Sequence, residues 1–461
     1  MRLLHAIHDF LPRHRAGSEI YAFELCRRLA SRHHVWVICA ECDPGRPHGS
    51  LTWREHGGVT VVELVNNWAF DTFEETYRSA FLNDRLRHVL TAIRPDVLHV
   101  HSLLNLSMDL PALARARNVP AVATLHDYTL VCPSGGQRVH TAESHVCETI
   151  DVARCARCFP QSAFYAQMAV GRLSRPRGLR VLGAAARTVR RRLPQLLGWF
   201  ESVVRHAPGP TLGPEHMAAR LEYVRRVFDH VNLFVAPSPA LAREFERLGI
   251  PPDRLRVSDY GMPPLPRRPP RPRGPRLAIG FVGTLVWHKG AHVLLEALRR
   301  LPPDRVSLTL LGDPEAFPGY TRALRAAARG LPVTFAGPFE GARTSDVYAA
   351  LDVLVVPSLW PENSPLVIHE AFQAGVPVVA ARVGGIPDLV GDGISGLLYE
   401  AFDAAALAAS LGRLLDEPGL LDRLARGAPP VKSIDEDVRW WEDRYLELTS
   451  ELRPAPGVQA P

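Results

Sequence analysis

The chain has 461 residues, 46% of them hydrophobic, with a formal charge of +6 and an isoelectric point near 9.1. That length allows two or three domains, each with a sizeable core. No apolar run approaches the eighteen or so residues of a membrane span, and Met1-Arg2-Leu3-Leu4 leads into a polar His8-Asp9 rather than a signal-peptide core, so a cytoplasmic protein is expected. The basic excess is mostly arginine and suits nucleic acid, anionic lipid or phosphate-bearing substrates without choosing among them.

In chain order, Leu3 to Ile7 reads as a first strand. A helix is expected from near Ser18, with Tyr21, Leu25 and Leu29 on one stripe. Val35 to Cys39, Val59 to Val62, Val97 to Val100 and Ala121 to Leu125 read as further strands, and this alternation implies a mostly parallel sheet. His126-Asp127 ends the last of these strands and His101 lies just past another, where open α/β sheets bind ligands. A structural role is the alternative for both histidines.

Four cysteines follow: Cys132, Cys147, Cys155 and Cys158. Cys155-x2-Cys158 resembles half of a zinc knuckle that Cys132 and Cys147 would complete, with His140 and His145 as substitute ligands. Free buried thiols are the alternative, and a cytosolic location disfavours disulfides. Cys39-x2-Cys42 has no second pair nearby and reads as incidental. Between Gly171 and Arg192 stand eight arginines and no acidic residue. This stretch reads either as a solvated basic face or as a contact with an anionic membrane surface. Nucleic acid is disfavoured because interleaved aromatics are missing.

Met262 to Arg276 is packed with prolines and arginines and reads as a semi-rigid linker. The pattern then restarts with a strand from Leu277 to Gly283, a helix from about Ala291 to Arg300 and a strand from Val306 to Gly312. Lys289, just after a strand and near a helix start, suits phosphate oxygens. Val353 to Val356 is another buried strand. Ser364 is the expected N-cap of a helix with Pro365 in its first position and Gly375 as its stop. Glu362 precedes this helix and Glu370 lies in its second turn. Free N–H groups at a helix N-terminus favour a phosphate, while the carboxylates call for hydroxyl partners such as those of sugar and ribose. For a bare pair at this spacing, solvated charges are the alternative. Val376 to Ala381 reads as the next strand, and Gly384-Gly385-Ile386-Pro387-Asp388 as a turn whose glycines allow close approach to a ligand.

Pro357-Ser358, Glu362 through Glu370, Ala371-Phe372, Ala374 to Val379 and Gly384 to Pro387 together resemble the E-x7-E donor site of retaining family 4 glycosyltransferases. The resemblance implies an α/β protein of GT-B fold, two Rossmann-like domains facing each other across a cleft. An acceptor-side domain would span 1–262, with a Cys/Arg-rich insertion at about 130–230. A linker at 263–276, a nucleotide-sugar domain at 277–432, a helix returning to the first domain at 433–452 and a loose tail at 453–461 would follow.

By the same resemblance His126, Lys289 and Glu362 are catalytic. The donor is held by Gly17, Gly283, Thr284, Lys289, Gly337, Glu362, Asn363, Ser364, Pro365, Leu366 and Glu370, with the base near Gly337 to Glu340. Thr284 stands where the family often has arginine, and Ala16-Gly17 where it usually has two glycines. Catalysis requires no cofactor, since lysine and helix dipole take the place of a metal; structural zinc is a separate expectation. The implied partners are a nucleotide-diphosphate sugar and a glycan or lipid-linked acceptor. No carboxylate pair resembles that of a double-displacement glycosidase. A sugar-nucleotide epimerase and a non-catalytic scaffold are the other two readings.

Overall fold

The computed structural model describes residues 1–43, 45–140, 143–162, 164–165, 167–168, 212–266, 274–339 and 341–451. The arginine-rich stretch from Gly171 to Arg192, linker residues 267–273, Glu340 and the tail at 453–461 lie outside the described residues.

The first lobe is built on β1 (Arg2–Ile7), β2 (His34–Glu41), β3 (Leu51–His56), β4 (Val59–Val65), β5 (Val97–Val100) and β6 (Ala121–Thr124). A small hairpin of β7 (Val139–His140) and β8 (His145–Val146) follows, then β9 (Leu233–Ala236) and β10 (Leu255–Val257). Apart from the hairpin, these form one sheet in the order β10-β9-β6-β5-β1-β2-β4-β3. Every pairing is parallel except β3 with β4. Strand β3 carries mostly polar, half-exposed residues, so its sequence lacks the apolar run that marks its neighbours. What builds it is the Gly57-Gly58 turn, where both residues hold the positive φ that a tight two-residue hairpin needs.

The second lobe contains β11 (Leu277–Val282), β12 (Val306–Leu311), β13 (Val333–Phe335), β14 (Val353–Val356), β15 (Val378–Ala381) and β16 (Gly396–Tyr399). Its sheet is wholly parallel, in the order β13-β12-β11-β14-β15-β16. Strand order reverses between β1 and β5 in one lobe and between β11 and β14 in the other. Ligands of open α/β sheets bind at such switch points, outside the carboxyl ends of the strands. Apolar clusters cover both faces of each sheet, as parallel sheets require.

The chain passes between lobes twice, and the two passages are bonded together. Met262 N–H donates to Lys432 O at 2.9 Å and Ile434 N–H to Met262 O at 2.8 Å. The last helix, Ile434–Glu451, then packs against the first helix, Gly17–Leu29, and buries Trp441 and Tyr445 in the first lobe's core. Burying one such aromatic is worth about 1.5–3 kcal/mol, so this helix is an integral layer of the first lobe. Tyr21 Oη donates to Asp437 Oδ2 at 2.8 Å, and Trp441 Nε1 donates to Tyr21 Oη at 3.1 Å. No helix among the described residues is long and apolar enough to cross a membrane.

One local expectation is corrected. The helix after Glu362 runs Leu366–Ala374 with Pro365, not Ser364, at its N-cap. Ser364 Oγ donates to Asp259 Oδ1 at 2.6 Å and stands 2.8 Å from His369 Nε2. With its hydroxyl turned to a carboxylate of the other lobe and to His369, Ser364 accepts no hydrogen bond from the first helix N–H groups. The helix stops at Gly375, whose φ of 74° is the left-handed conformation of such stops.

Candidate active site

Loops leaving β11 and β14 meet at the second lobe's switch point. Gly290, at φ 73°, lies against the Pro357 carbonyl so closely that any Cβ would overlap it. Leu359 N–H donates to His288 O at 2.8 Å. This contact sets Lys289 beside Glu362, with Nζ 2.6 Å from Oε1. Ser358 Oγ donates to the same oxygen at 2.6 Å, and Nζ lies 5.3 Å from the Trp360 ring centroid. Glu362 is buried. Burial alone would raise its carboxyl pKa, but the charge and hydrogen bond of Lys289, with Ser358, hold it below the usual range.

The Gly384-Gly385 turn packs against this loop. Gly385 N–H donates to Glu362 O at 2.7 Å. A Cβ at either glycine would collide with the Glu362 or Asn363 carbonyl. The pair of glycines therefore supports the backbone that carries Glu362.

Glu370 lies one turn further along, where Tyr348 Oη donates to its Oε2 at 2.7 Å. Burial raises the Glu370 pKa, partly offset by Tyr348 and His369. Tyr348, fully buried on the short helix Thr344–Ala349, was not anticipated because no motif marks it. Gly283 lies just past β11, Thr284 beside it is exposed, and Gly337 lies just past β13 with φ 76°.

The facing lobe buries histidines on β1 and β5 and just past the ends of β5 and β6. His126 Nε2 is 2.9 Å from His101 Nδ1, and His101 Nε2 is 3.0 Å from His5 Nδ1. His126 Nδ1 is 2.7 Å from Tyr260 Oη. Separately, His99 bonds Tyr445 Oη at 2.7 Å and Thr124 Oγ1 at 2.8 Å. Burial pulls His126 and His5 down to about 3, and pulls His99 and His101 well below the ordinary imidazole value. All four rings are therefore neutral.

His8 is the exception, with Nε2 3.2 Å from Glu19 Oε1. Burial would lower it, but Glu19, Asp9 and Asp127 raise it to about 9. The pair holds Glu19 at about 2 against its own burial.

Asn363 joins the walls. Its Nδ2 donates to Leu125 O at 2.9 Å and to His126 O at 3.2 Å, while its Oδ1 accepts from Ser238 Oγ at 3.2 Å. His369 Nε2 lies 3.5 Å from Asp259 Oδ2. Gly17 faces the Leu366 side chain, which a Cβ at Gly17 would meet at 3.6 Å. Asn363, Ser364 and Leu366 thus touch the first lobe at His126, Asp259 and Gly17, close in the chain to the Lys289–Glu362 pair. Tyr260, Asp259 and Tyr348 are the partners of His126, Ser364 and Glu370, and the His8–Glu19 pair acts on His126, although no sequence pattern pointed to them.

Cys132, Cys147, Cys155 and Cys158 are all free thiols on the segment after β6, the last two on the helix Val152–Cys158. Among the described residues, two sets of three potential ligands come within 4.8 Å of one another, His5/His99/His101 and His8/Asp9/Glu19; no cysteine belongs to either.

Two facing α/β lobes, with the last helix crossing back, define the GT-B class. Anabaena HepE in complex with UDP and glucose has the same fold, with a TM-score of 0.62, 17% identity, and 97% of this chain and 99% of that chain covered. Sucrose-phosphate synthase from Thermosynechococcus elongatus matches with a TM-score of 0.62, 17% identity and 97% coverage of both chains. Residues 15–177 match the model for Glycosyltransferase Family 4, and residues 276–417 the model for Glycosyl transferases group 1. The chain belongs to the family 4 glycosyltransferases. It is 37% identical over 228 residues to the D-inositol 3-phosphate glycosyltransferase of Xylanimonas cellulosilytica, covering 48% of this chain and 49% of that protein. It is also 39% identical over 201 residues to the protein of the same name from Acidothermus cellulolyticus, covering 39% of this chain and 44% of that protein. The chain thus spans about half the length of the curated relatives it matches.

Proposed function

We propose that this protein is a retaining glycosyltransferase that moves a hexose from a nucleotide-diphosphate sugar to a hydroxyl of a glycan or lipid-linked acceptor. The observation that carries this reading is the Lys289–Glu362 pair beside the N-terminus of the Leu366–Ala374 helix. A diphosphate arriving there competes with Glu362 for Lys289 and is also met by the helix N–H groups. Glu362, released from the ammonium, turns to a sugar hydroxyl, and Glu370 holds the ribose. His126 bounds the sugar from the facing lobe. The acceptor attacks on the leaving-group face and the departing phosphate takes its proton, so the protein's contribution is positional and electrostatic. HepE, bound to UDP and glucose, supports a uridine nucleotide as the first donor to try.

The test is a thermal-shift panel of nucleotide sugars on wild type and Glu370→Ala, followed by product analysis. One sugar nucleotide should stabilise wild type selectively, and the product should carry a new glycosidic bond with the donor's anomeric configuration. No stabilisation by any nucleotide sugar overturns the reading. A converted sugar nucleotide without a new bond points to an epimerase.

Two further expectations remain proposals. The arginines between Gly171 and Arg192 support attachment to anionic lipid, and co-sedimentation with liposomes that ignores lipid charge rejects it. Four thiolates are a donor set that structural zinc accepts, although the sulfurs stand further apart here than a tetrahedral ion would hold them. Near-zero zinc in purified protein, with a melting temperature indifferent to chelator, rejects that site.

A further inference from the structure

The line of hydrogen bonds from Asn363 through Tyr260, His126 and His101 to His5 has a direction that can be assigned atom by atom. Carbonyl oxygens only accept, so the Asn363 amide must present its nitrogen to Leu125 O and His126 O. That nitrogen, whose two hydrogens are shared among three oxygens, is also 3.3 Å from Tyr260 Oη and cannot accept the tyrosine proton. Among the described residues the Tyr260 hydroxyl proton then has one acceptor, His126 Nδ1. A neutral His126 carries its own proton on Nε2 and donates it to His101 Nδ1. His101 in turn donates from Nε2 to His5 Nδ1, and the buried His5 Nε2 ends the line without a partner. An imidazolium at His126 would set an N–H against the Tyr260 hydroxyl and leave that hydroxyl's proton without an acceptor.

We propose that Tyr260 and His101 are positioning residues that lock His126 as its neutral Nε2–H tautomer with both ring nitrogens occupied, and that Asn363 ties this lock to the contact between the lobes. His126 then neither takes nor gives a proton during transfer. It acts as a rigid neutral wall. The groups that face it are His101 from β5, Tyr21 and Glu19 from the first helix, His8 after β1, the adjoining Asp127, and Tyr260. Glu19 alone would favour the imidazolium, and burial outweighs it.

Exchange of imidazole C2 protons, followed residue by residue by mass spectrometry on the full chain, tests the lock without any substrate. In wild type His126 should show no titration between about pH 5 and 8, the range in which an ordinary histidine changes charge. Tyr260→Phe removes the donor to Nδ1 but leaves the burial, and should raise the pH at which His126 titrates above its wild-type position. Asn363→Asp offers Tyr260 a competing acceptor and should do the same, which keeps the test open where Tyr260→Phe fails to fold. His292, bonded to Tyr320 in the second lobe and away from the line, is the control and should not change in either variant. Titration of His126 in wild type, or an unchanged profile in both variants, overturns the proposal.

The kinetic arm rests on the transferase reading. His101→Leu should lower kcat by about tenfold or more, as expected of a displaced group in the site, with donor KM within about twofold. His101→Asn keeps an acceptor near the Nδ1 position and should restore most of the rate; no restoration counts against the lock. Absence of transfer by wild type sinks the transferase reading alone, because the exchange measurement still decides the state of His126.

Discussion

On the wall built by the second sheet, polar groups are buried as charges: Lys289 against Glu362, with Glu370 braced by Tyr348. On the facing wall they are buried mostly as neutral rings, in a line that alternates donor and acceptor from Tyr260 to His5. A charged pair can exchange its partner for an anionic ligand. A neutral line has no spare charge to offer and resists change in pH. The difference teaches which wall adapts to the donor and which merely bounds it.

The sharpest way to break this comparison is to remove one charge. Lys289→Ala leaves Glu362 buried and unpaired, a situation that typically costs 3–5 kcal/mol, and the partial exposure of Lys289 puts the expected loss at about 3 kcal/mol. Denaturant unfolding measures it, and stabilisation by nucleotide sugars should vanish in the same variant. Adding Glu362→Gln to that variant should recover stability but not binding. A loss below about 1 kcal/mol for Lys289→Ala, the size of an exposed pair, would show that the pair is not held as a buried unit.

Next in size is the support of that wall. Gly384→Ala forces a side chain against the Glu362 carbonyl at a φ of 55°. Backbone strain of this kind costs about 1–3 kcal/mol, so a lowered melting temperature and weaker donor binding should appear together. Loss of stability with donor affinity intact would detach the turn from the site.

The two walls also differed in how readable they were. The charged wall lies within one stretch from β14 to the turn at Gly384, where an apolar run, a proline at the helix start and a glycine at its end fall in order. Local signals of that kind survive in sequence. The neutral wall takes single residues from β1, β5, β6 and the segment after β10, and sheet order alone makes them neighbours. Register sets His5 opposite His99, for example, which no local pattern encodes. His126 was legible as a strand-end residue, while its ties to Tyr260 and His101 depend on tertiary contacts. Strand β3 escaped for a different reason, since its edge position removes the apolar alternation that identifies a strand.

The His8–Glu19 pair is the charged exception on the neutral wall, and it gives that wall a limited pH dependence. His8 is raised from 6.5 to about 9, so its contribution is complete below pH 6.5 and is lost as pH rises through 9. Glu19 is lowered from 4.5 to about 2, so its contribution is complete above pH 4.5 and is lost as pH falls through 2. The pair therefore stabilises most between those two ordinary values. Glu19→Gln should flatten the stability–pH curve on both sides of that window, with a loss of about 2 kcal/mol inside it, less than an uncompensated buried charge costs because His8 can release its proton. An unchanged curve would mean that the pair is not maintained in solution.

The smallest expected effect separates support from contact on the charged wall. Tyr348→Phe removes one hydrogen bond to Glu370 and leaves the ring packed. One such bond is worth about 1.5–3 kcal/mol when its partner is ionised, and part of that is regained if water replaces the hydroxyl. Donor affinity should therefore fall by about fivefold, less than for Glu370→Ala, since a change of 1.4 kcal/mol is tenfold. The Tyr348 hydroxyl also raises the proportion of ionised Glu370, because a hydrogen bond to the carboxylate opposes the effect of burial. Without it the carboxyl should protonate at a higher pH, so the deficit in donor binding should widen on acidification. A deficit independent of pH would instead assign Tyr348 to packing alone, and leave Glu370 to hold its position by the helix that carries it.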